Sequence, residues 1–310
     1  MKKNNIFEFS DTNKRYHTYD YYLKEKIGAK CVKIPLDCGF TCPNKDGTKG
    51  YGGCTYCSGT FTNTSKRSVT EQFYAAKETL SRKWKDVKYI PYFQAYTNTY
   101  APLNALIPLY EEALSLPDTA GLDIATRADT LADDVVDYLR KLSERTFLTV
   151  ELGLQTIHDV TAARINRCHS YGEFLKGYNR LCESNIDICV HIINGLPGET
   201  KSMMLDTVRE IARIHPKGIK IHLLHILDNT VAAEQYRNGE FNVLTFEEYT
   251  DIVVSQLELI PQNIYVGRIT GDGLKDELIA PLWSLNKFAV MNGIDKLMAR
   301  RDTYQGYLYK

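Results

Sequence analysis

Short apolar runs alternate with longer amphipathic stretches along most of the chain. VKIPL (32–36), YIPYFQ (89–94), GLDIAT (121–126), FLTVELGL (147–154), DICVHIING (187–195) and GIKIHLLHIL (218–227) read as six strands. Helical patterning occupies 68–85, 102–116, 131–144, 170–184 and 199–214 between them, and 155–169 is polar and compatible with a helix. Ser68-x-x-Glu71 and Ser170-x-x-Glu173 are capping boxes that open two of these helices. Leu131, Val135, Tyr138, Leu139 and Leu142 form one helical stripe. Each connection is long enough for a helix, so neighbouring strands run parallel. Right-handed crossovers then curl the sheet about its inner face. The expected fold class is α/β, a partial (β/α)6 TIM-like barrel, about three quarters of a closed eight-unit barrel. Its open side would admit a large substrate, and its site should lie at the C-terminal strand edge. The alternation stops at Asp228; Thr245-x-x-Glu248 caps a helix over 245–259, and an apolar helix follows at 281–297. The expected division is an N-terminal segment (1–30), the barrel (31–228) and a helical/β extension packed on it (229–310).

Composition narrows the class. Lys plus Arg and Asp plus Glu each number 38, so no global charge pulls the chain toward nucleic acid or an anionic membrane. No apolar run reaches the length of a membrane span. The opening residues MKKNNIFEFS carry no apolar signal, so a cytoplasmic protein with reduced thiols is expected. Charge is uneven: 66–88 is basic, which suits a solvated helix face, and 118–137 is acidic. The N-terminal RYHTYDYYLKEK interleaves tyrosines with basic residues. Such a segment can stack on RNA bases or pack as a helix.

Four of the eight cysteines fall in one glycine-rich loop after the first strand, CGFTCPNKDGTKGYGGCTYCS (38–58). Scattered buried cysteines would need no such loop. The crowding points to a soft metal bound by thiolates. Cys54-x-x-Cys57 is a tight pair, with Cys38 or Cys42 upstream. Four thiolates would make a zinc site in a structural or adaptor protein. Three would hold an iron–sulfur cluster with one iron open.

The loop is followed by PYFQAYTNTYAP, ATRADTL, ELGLQTIHDVTAARINRCHS, INGLPGET and IKIHLLHIL. Together these resemble a radical S-adenosylmethionine (radical SAM) enzyme of the YhcC/YtqA-like branch, related to the radical domain of the Elongator catalytic subunit. The resemblance runs from about Arg15 to Gly306 and implies a barrel of the radical SAM type. It implies Cys42, Cys54 and Cys57 as ligands of a 4Fe-4S cluster, with Cys38 an extra thiol nearby. It also implies SAM contacts at Gln94 and Thr97, at Gln155 and Arg167, and at His191. An arginine fork suits the methionine carboxylate. GLPGE (195–199) would let backbone approach the adenine. Arg127, Asp129 and Glu151 either face the pocket or pair with one another, and Arg268 and Asp272 are candidate substrate contacts. His222 and His225, three apart in a strand, should point to opposite faces.

Kinship further implies a tRNA substrate, with conversion of a wobble-uridine carboxymethylaminomethyl group to aminomethyl. An electron donor such as flavodoxin or ferredoxin goes with that chemistry. A small metabolite or a protein side chain is the alternative substrate.

Overall fold

The computed structural model describes residues 6–58, 67–271, 273 and 275–310. Asp272 lies outside the described residues. The strands are β1 (Cys31–Leu36), β2 (Lys88–Phe93), β3 (Gly121–Thr126), β4 (Phe147–Gln155), β5 (Asp187–Asn194), β6 (Gly218–Leu223), β7 (Ile226–Leu227), β8 (Tyr265–Arg268) and β9 (Leu278–Ala280). The helices are α1 (Tyr19–Ile27), α2 (Val69–Ser81), α3 (Leu103–Ser115), α4 (Asp133–Ser143), α5 (Asp159–Arg164), α6 (Tyr171–Glu183), α7 (Lys201–Ile214), α8 (Val231–Arg237), α9 (Phe246–Leu259) and α10 (Lys287–Arg300).

Seven parallel strands form one sheet in the order β1-β2-β3-β4-β5-β6-β8. This is the partial TIM-like barrel expected, extended by one strand. The seventh, YVGR, comes from beyond the point where the βα alternation fades. It is four residues long and joins the sheet only because β6 offers it a parallel edge. The 218–227 run divides: β6 ends at Leu223, and β7 turns away to pair antiparallel with β9. The apolar stretch at 281–297 also divides, into a 3-10 turn over Leu282–Leu285 and α10, which Asn286 caps.

All three capping boxes form, at Ser68, Ser170 and Thr245. The basic 66–88 run carries α2, and Lys77 on that helix shares Asp118 with Lys88, the first residue of β2, at 3.1 and 3.6 Å.

The sheet is amphipathic with its apolar face outward. Ile124, Leu152, Val190 and Ile221 join the core beneath the helices. Their strand neighbours point inward, and there the side chains are charged or polar: Asp123, Glu151, His191 and Lys220. The curvature is measurable. β2 and β6 stand four places apart in the sheet, roughly 19 Å if it were flat. Yet Lys220 Nζ lies 3.4 Å from the Tyr92 hydroxyl.

The N-terminal segment closes the lower end of the barrel. Thr18 bridges to Val266, the His17 carbonyl accepts from the Val266 N–H, and Gln305 Oε1 accepts from the His17 N–H. On α1, the Tyr19 hydroxyl donates to Asp123 and that of Tyr22 to Asp187, each at 3.1 Å. The Tyr22 ring stacks on Tyr265, with centroids 4.5 Å apart. Tyr22 is buried and Tyr19 half-buried, and both pack against the barrel as part of a helix.

Candidate functional site

The cysteine loop follows β1 at the C-terminal edge of the sheet, where it forms one wall of a cavity of about 410 Å³. The loop folds back on itself. Lys45 N–H donates to the Cys42 carbonyl, Gly53 N–H to Asn44, and Cys57 N–H to Cys54. Gly52 and Gly53 sit at φ 77° and 82°, a backbone that a side chain would strain. A second segment clamps the loop from outside. The Asn166 side chain donates to the carbonyls of Tyr51 (3.1 Å) and Gly53 (2.8 Å), and Thr55 N–H donates to Ile165.

Cys42, Cys54 and Cys57 line the cavity, and Cys38 does not. Cys38 packs half-buried against the core, where burial, with Asp37 and Glu112 nearby, pushes its thiol up to about 12. Burial and the neighbouring Cys57 push the Cys54 thiol up to about 11, against the pull of Arg127. Asn44 Nδ2 lies 3.7 Å from the Cys54 sulfur and orients it. Four thiolates on one zinc ion stand about 3.8 Å apart, as follows from ~2.3 Å bonds in a tetrahedron. No three of these thiols lie within 4.8 Å of one another. That spacing is wider than a single tetrahedral ion takes, whereas the ligands of a cubane bind separate irons.

Gln94, Thr97, Gln155, Arg167 and His191 line the same cavity. Gln94 and Thr97 follow the end of β2, where the Asn98 side chain donates to the Phe93 and Ala125 carbonyls and fixes the turn. Gln155 ends β4 at φ 62°, beside a register shift, with its amide folded back over Gly153. A Cβ at Gly153 would stand 2.6 Å from that amide, so the bare glycine keeps the cavity open there.

Arg167 is fully buried rather than a surface ion pair. Its guanidinium donates to the Leu154, Thr156 and His169 carbonyls, the last two at 2.6 and 3.0 Å, and ties the end of β4 to the clamp. Nη2 makes no hydrogen bond among the described residues and lies 3.6 Å from Asp159. That leaves one arm of the fork to meet a ligand.

Arg127 both faces the cavity and pairs with Asp129, through two bonds of 2.9 Å. Burial would raise the Asp129 carboxyl, but Arg127 and its neighbours hold it down at about 2. Arg127 also donates to the Arg167 carbonyl and to His169 Nδ1. Burial, then Arg167 and Arg127, lower the His169 imidazole to about 3, so it accepts as a neutral ring.

The floor of the cavity was largely missed in the sequence. Lys33, Asp123, Glu151 and Lys220 form a buried charge network. Glu151 takes Lys33 at 2.7 Å, Lys220 at 2.5 Å and His191 Nε2 at 2.9 Å. Lys33 also pairs with Asp123. Burial would raise the Glu151 carboxyl, but Lys220, Lys33 and His191 hold it well below its usual range. Burial raises the Asp123 carboxyl despite Lys33. Burial lowers His191 to about 4, with Lys220 adding to the effect, so Nε2–H donates to Glu151 and Nδ1 accepts from the cavity. Glu151, Cys189 and His191 lie close enough to hold an ion. Two ammonium groups already occupy Glu151, which makes a cation there unfavourable. A signal for this floor did exist: VKI, LDI, VEL, VHI and IKI each put one polar residue between aliphatics. His222 and His225 both line the cavity, contrary to the alternation argument, because His225 lies past the end of β6.

Known proteins agree with this architecture. YtqA of Bacillus subtilis (strain 168) is 48% identical over 314 residues, covering 100% of this chain and 98% of that protein. A tRNA uridine(34) acetyltransferase of Methanocaldococcus infernus is 26% identical over 170 residues, 52% of this chain and 31% of that protein. The structure of Methanocaldococcus infernus Elp3 with an N-terminal deletion (1–46) superposes with a TM-score of 0.70 at 18% identity. It covers 89% of this chain, which spans 64% of that one, and the likeness shows a shared fold. The Radical SAM superfamily pattern matches residues 45–211 and that of the Radical SAM C-terminal domain matches 216–300. Matched over more than half its length, and with a full-length relative at 48% identity, the chain belongs to the radical SAM superfamily of enzymes.

Proposed function

We propose that Cys42, Cys54 and Cys57 hold a 4Fe-4S cluster, and that the enzyme uses SAM to modify the side chain of a tRNA wobble uridine. The observation that carries the cofactor reading is the cavity's donor set. Three spread thiols from one loop share it with the polar ends of β2 and β4, while the fourth thiol of the loop is packed into the core. The family implies both SAM and the cluster, and these residues fit them. When bound, the cluster supplies the electron that splits SAM into methionine and a 5′-deoxyadenosyl radical.

The chain's own groups then have distinct tasks. Backbone at Gln94 and Thr97 would hold the methionine amine. Arg167 Nη2 would hold the methionine carboxylate, with the rest of the guanidinium held in place by three carbonyls. Gln155 and His191 Nδ1 would accept from ribose hydroxyls, with Glu151 fixing the His191 ring. Tyr56, Arg127 and the loop screen the thiols from water.

The substrate reading rests on kinship with a tRNA uridine(34) enzyme over half the chain. The step proposed is conversion of carboxymethylaminomethyl to aminomethyl. Flavodoxin or ferredoxin would supply the electron, in the cytoplasm. Among the described residues no helix is long and apolar enough to cross a membrane.

Two measurements test this. The reduced, anaerobically reconstituted protein should release 5′-deoxyadenosine and lose both colour and cleavage in Cys54→Ala but not in Cys38→Ala. Nucleosides of tRNA from a deletion strain should accumulate the carboxymethylaminomethyl form. Unchanged wobble uridines would remove tRNA as the substrate and leave a small metabolite or protein side chain.

A further inference from the structure

Among the described residues the cavity is lined by five cationic side chains, Lys45, Arg127, Arg167, Lys220 and Arg268, and by one carboxylate, Glu151. The first three belong to the cysteine loop and to the Arg127–His169 network that braces it. The other two are elsewhere. Lys220 and Arg268 are register partners on β6 and β8, so they leave the sheet side by side. His222 is the next inward position on β6, and its ring lies 5.1 Å from that of His191. His222 Nε2 is shielded from water and has no hydrogen-bond partner among the described residues. A buried polar atom left unpaired costs free energy unless a ligand or water meets it.

We propose that this β6–β8 wall is a carboxylate subsite, in which Lys220 and Arg268 grip an acid group on the substrate and His222 Nε2 hydrogen-bonds it. The assignment deepens the wobble-uridine reading and rests on it for the identity of the acid, the carboxymethyl end of the side chain to be removed.

Three physical points favour it. Burial lowers the Lys220 ammonium even with Glu151 beside it, and Lys33 adds to that, so its charge is incompletely compensated. A second carboxylate would offset the remainder. Next, a planar acid can meet a guanidinium fork and an ammonium together. Finally, Glu151 lies 2.5 Å from Lys220. A phosphate dianion would bring twice the repulsion of a carboxylate toward that oxygen. The subsite is also separate from the arm of Arg167 assigned to SAM, so the two acids need not compete.

The test uses reconstituted protein with SAM bound, under anaerobic conditions, and titration calorimetry. The probes are N-methylglycine, its amide, which keeps the ammonium but lacks the carboxylate, and inorganic phosphate. The acid should bind about ten-fold more tightly than the amide, as expected for a charge-assisted pair. Lys220→Met and Arg268→Gln should each bring that ratio near one, and Lys220→Arg should restore most of it. Circular dichroism of each variant separates this from misfolding, and the two variants fail independently. Equal binding of acid and amide by the parent protein overturns the subsite, as does a preference that survives in both folded variants. Tighter binding of phosphate than of N-methylglycine, lost in Lys220→Met, overturns the carboxylate assignment in favour of a phosphate. None of the probes contains uridine. A preference for the acid alongside unchanged tRNA in the deletion strain would keep the subsite and discard the RNA substrate. The reverse pair of results would do the opposite.

Discussion

Cys38 and Cys42 are four residues apart and chemically identical, yet one lines the cavity and the other does not. Cys38 immediately follows buried Asp37 and leans into the core, and the loop turns only after it. Residues inside the cavity are tuned by burial as much as by charge. His169 and His191 are lowered to about 3 and about 4, against about 6.5 in an unfolded chain. Both are neutral in the fold and take up a proton on unfolding in mild acid. Their contribution is complete above about pH 6.5 and is lost as the pH falls toward their folded values. The Arg127–Asp129 pair loses its contribution lower still, as the pH falls from about 4 toward 2. Between pH 7.5 and 5.5, the stability of the reconstituted protein should therefore fall by on the order of 2 kcal/mol. His169→Gln should flatten part of that slope. A urea midpoint that stays level or rises over this window would contradict the buried neutral imidazoles.

At the level of elements, what the sequence carried best was local. The capping boxes at Ser68, Ser170 and Thr245 satisfy orphan N–H groups within one turn, so their signal needs no tertiary partner. What it carried poorly was packing between elements. Gly177 lies in the middle of α6, where glycine is a poor helix former. Its reason is the 3-10 turn over Ala128–Thr130: a Cβ at 177 would collide with the Ala128 carbonyl oxygen. That turn holds Asp129 against Arg127. Gly177→Ala should therefore destabilise the fold by about 2 kcal/mol, since overpacking against backbone outweighs the better helix propensity. It should also weaken cluster retention, because α6 displaces the Arg127 network. Chemical denaturation and iron content check this. A variant more stable than the parent would mean that α6 can slide without cost.

For the whole molecule, the barrel depends on its lower end being closed. Tyr19 and Tyr22 enter it from α1, and Lys33 lies 4.5 Å over the Tyr19 ring. Tyr22→Ala removes a buried ring stacked on Tyr265 and should cost about 3 kcal/mol. If tRNA is the substrate proposed above, affinity for it, measured at fixed salt on the folded fraction, should not change. A selective loss of RNA binding without loss of stability would return the N-terminal tyrosines to the nucleic-acid surface. The chain's periodicity alone set the α/β class, six of the seven strands and the loop that carries the thiols, because these follow from local apolar spacing and cysteine density. Several features waited on the folded chain. They are the seventh strand, the packing of Cys38 away from the cavity, the hidden charge network on the barrel floor and the meeting of Lys220 with Arg268. Each joins residues far apart in sequence, and only the curl of the sheet brings them within reach.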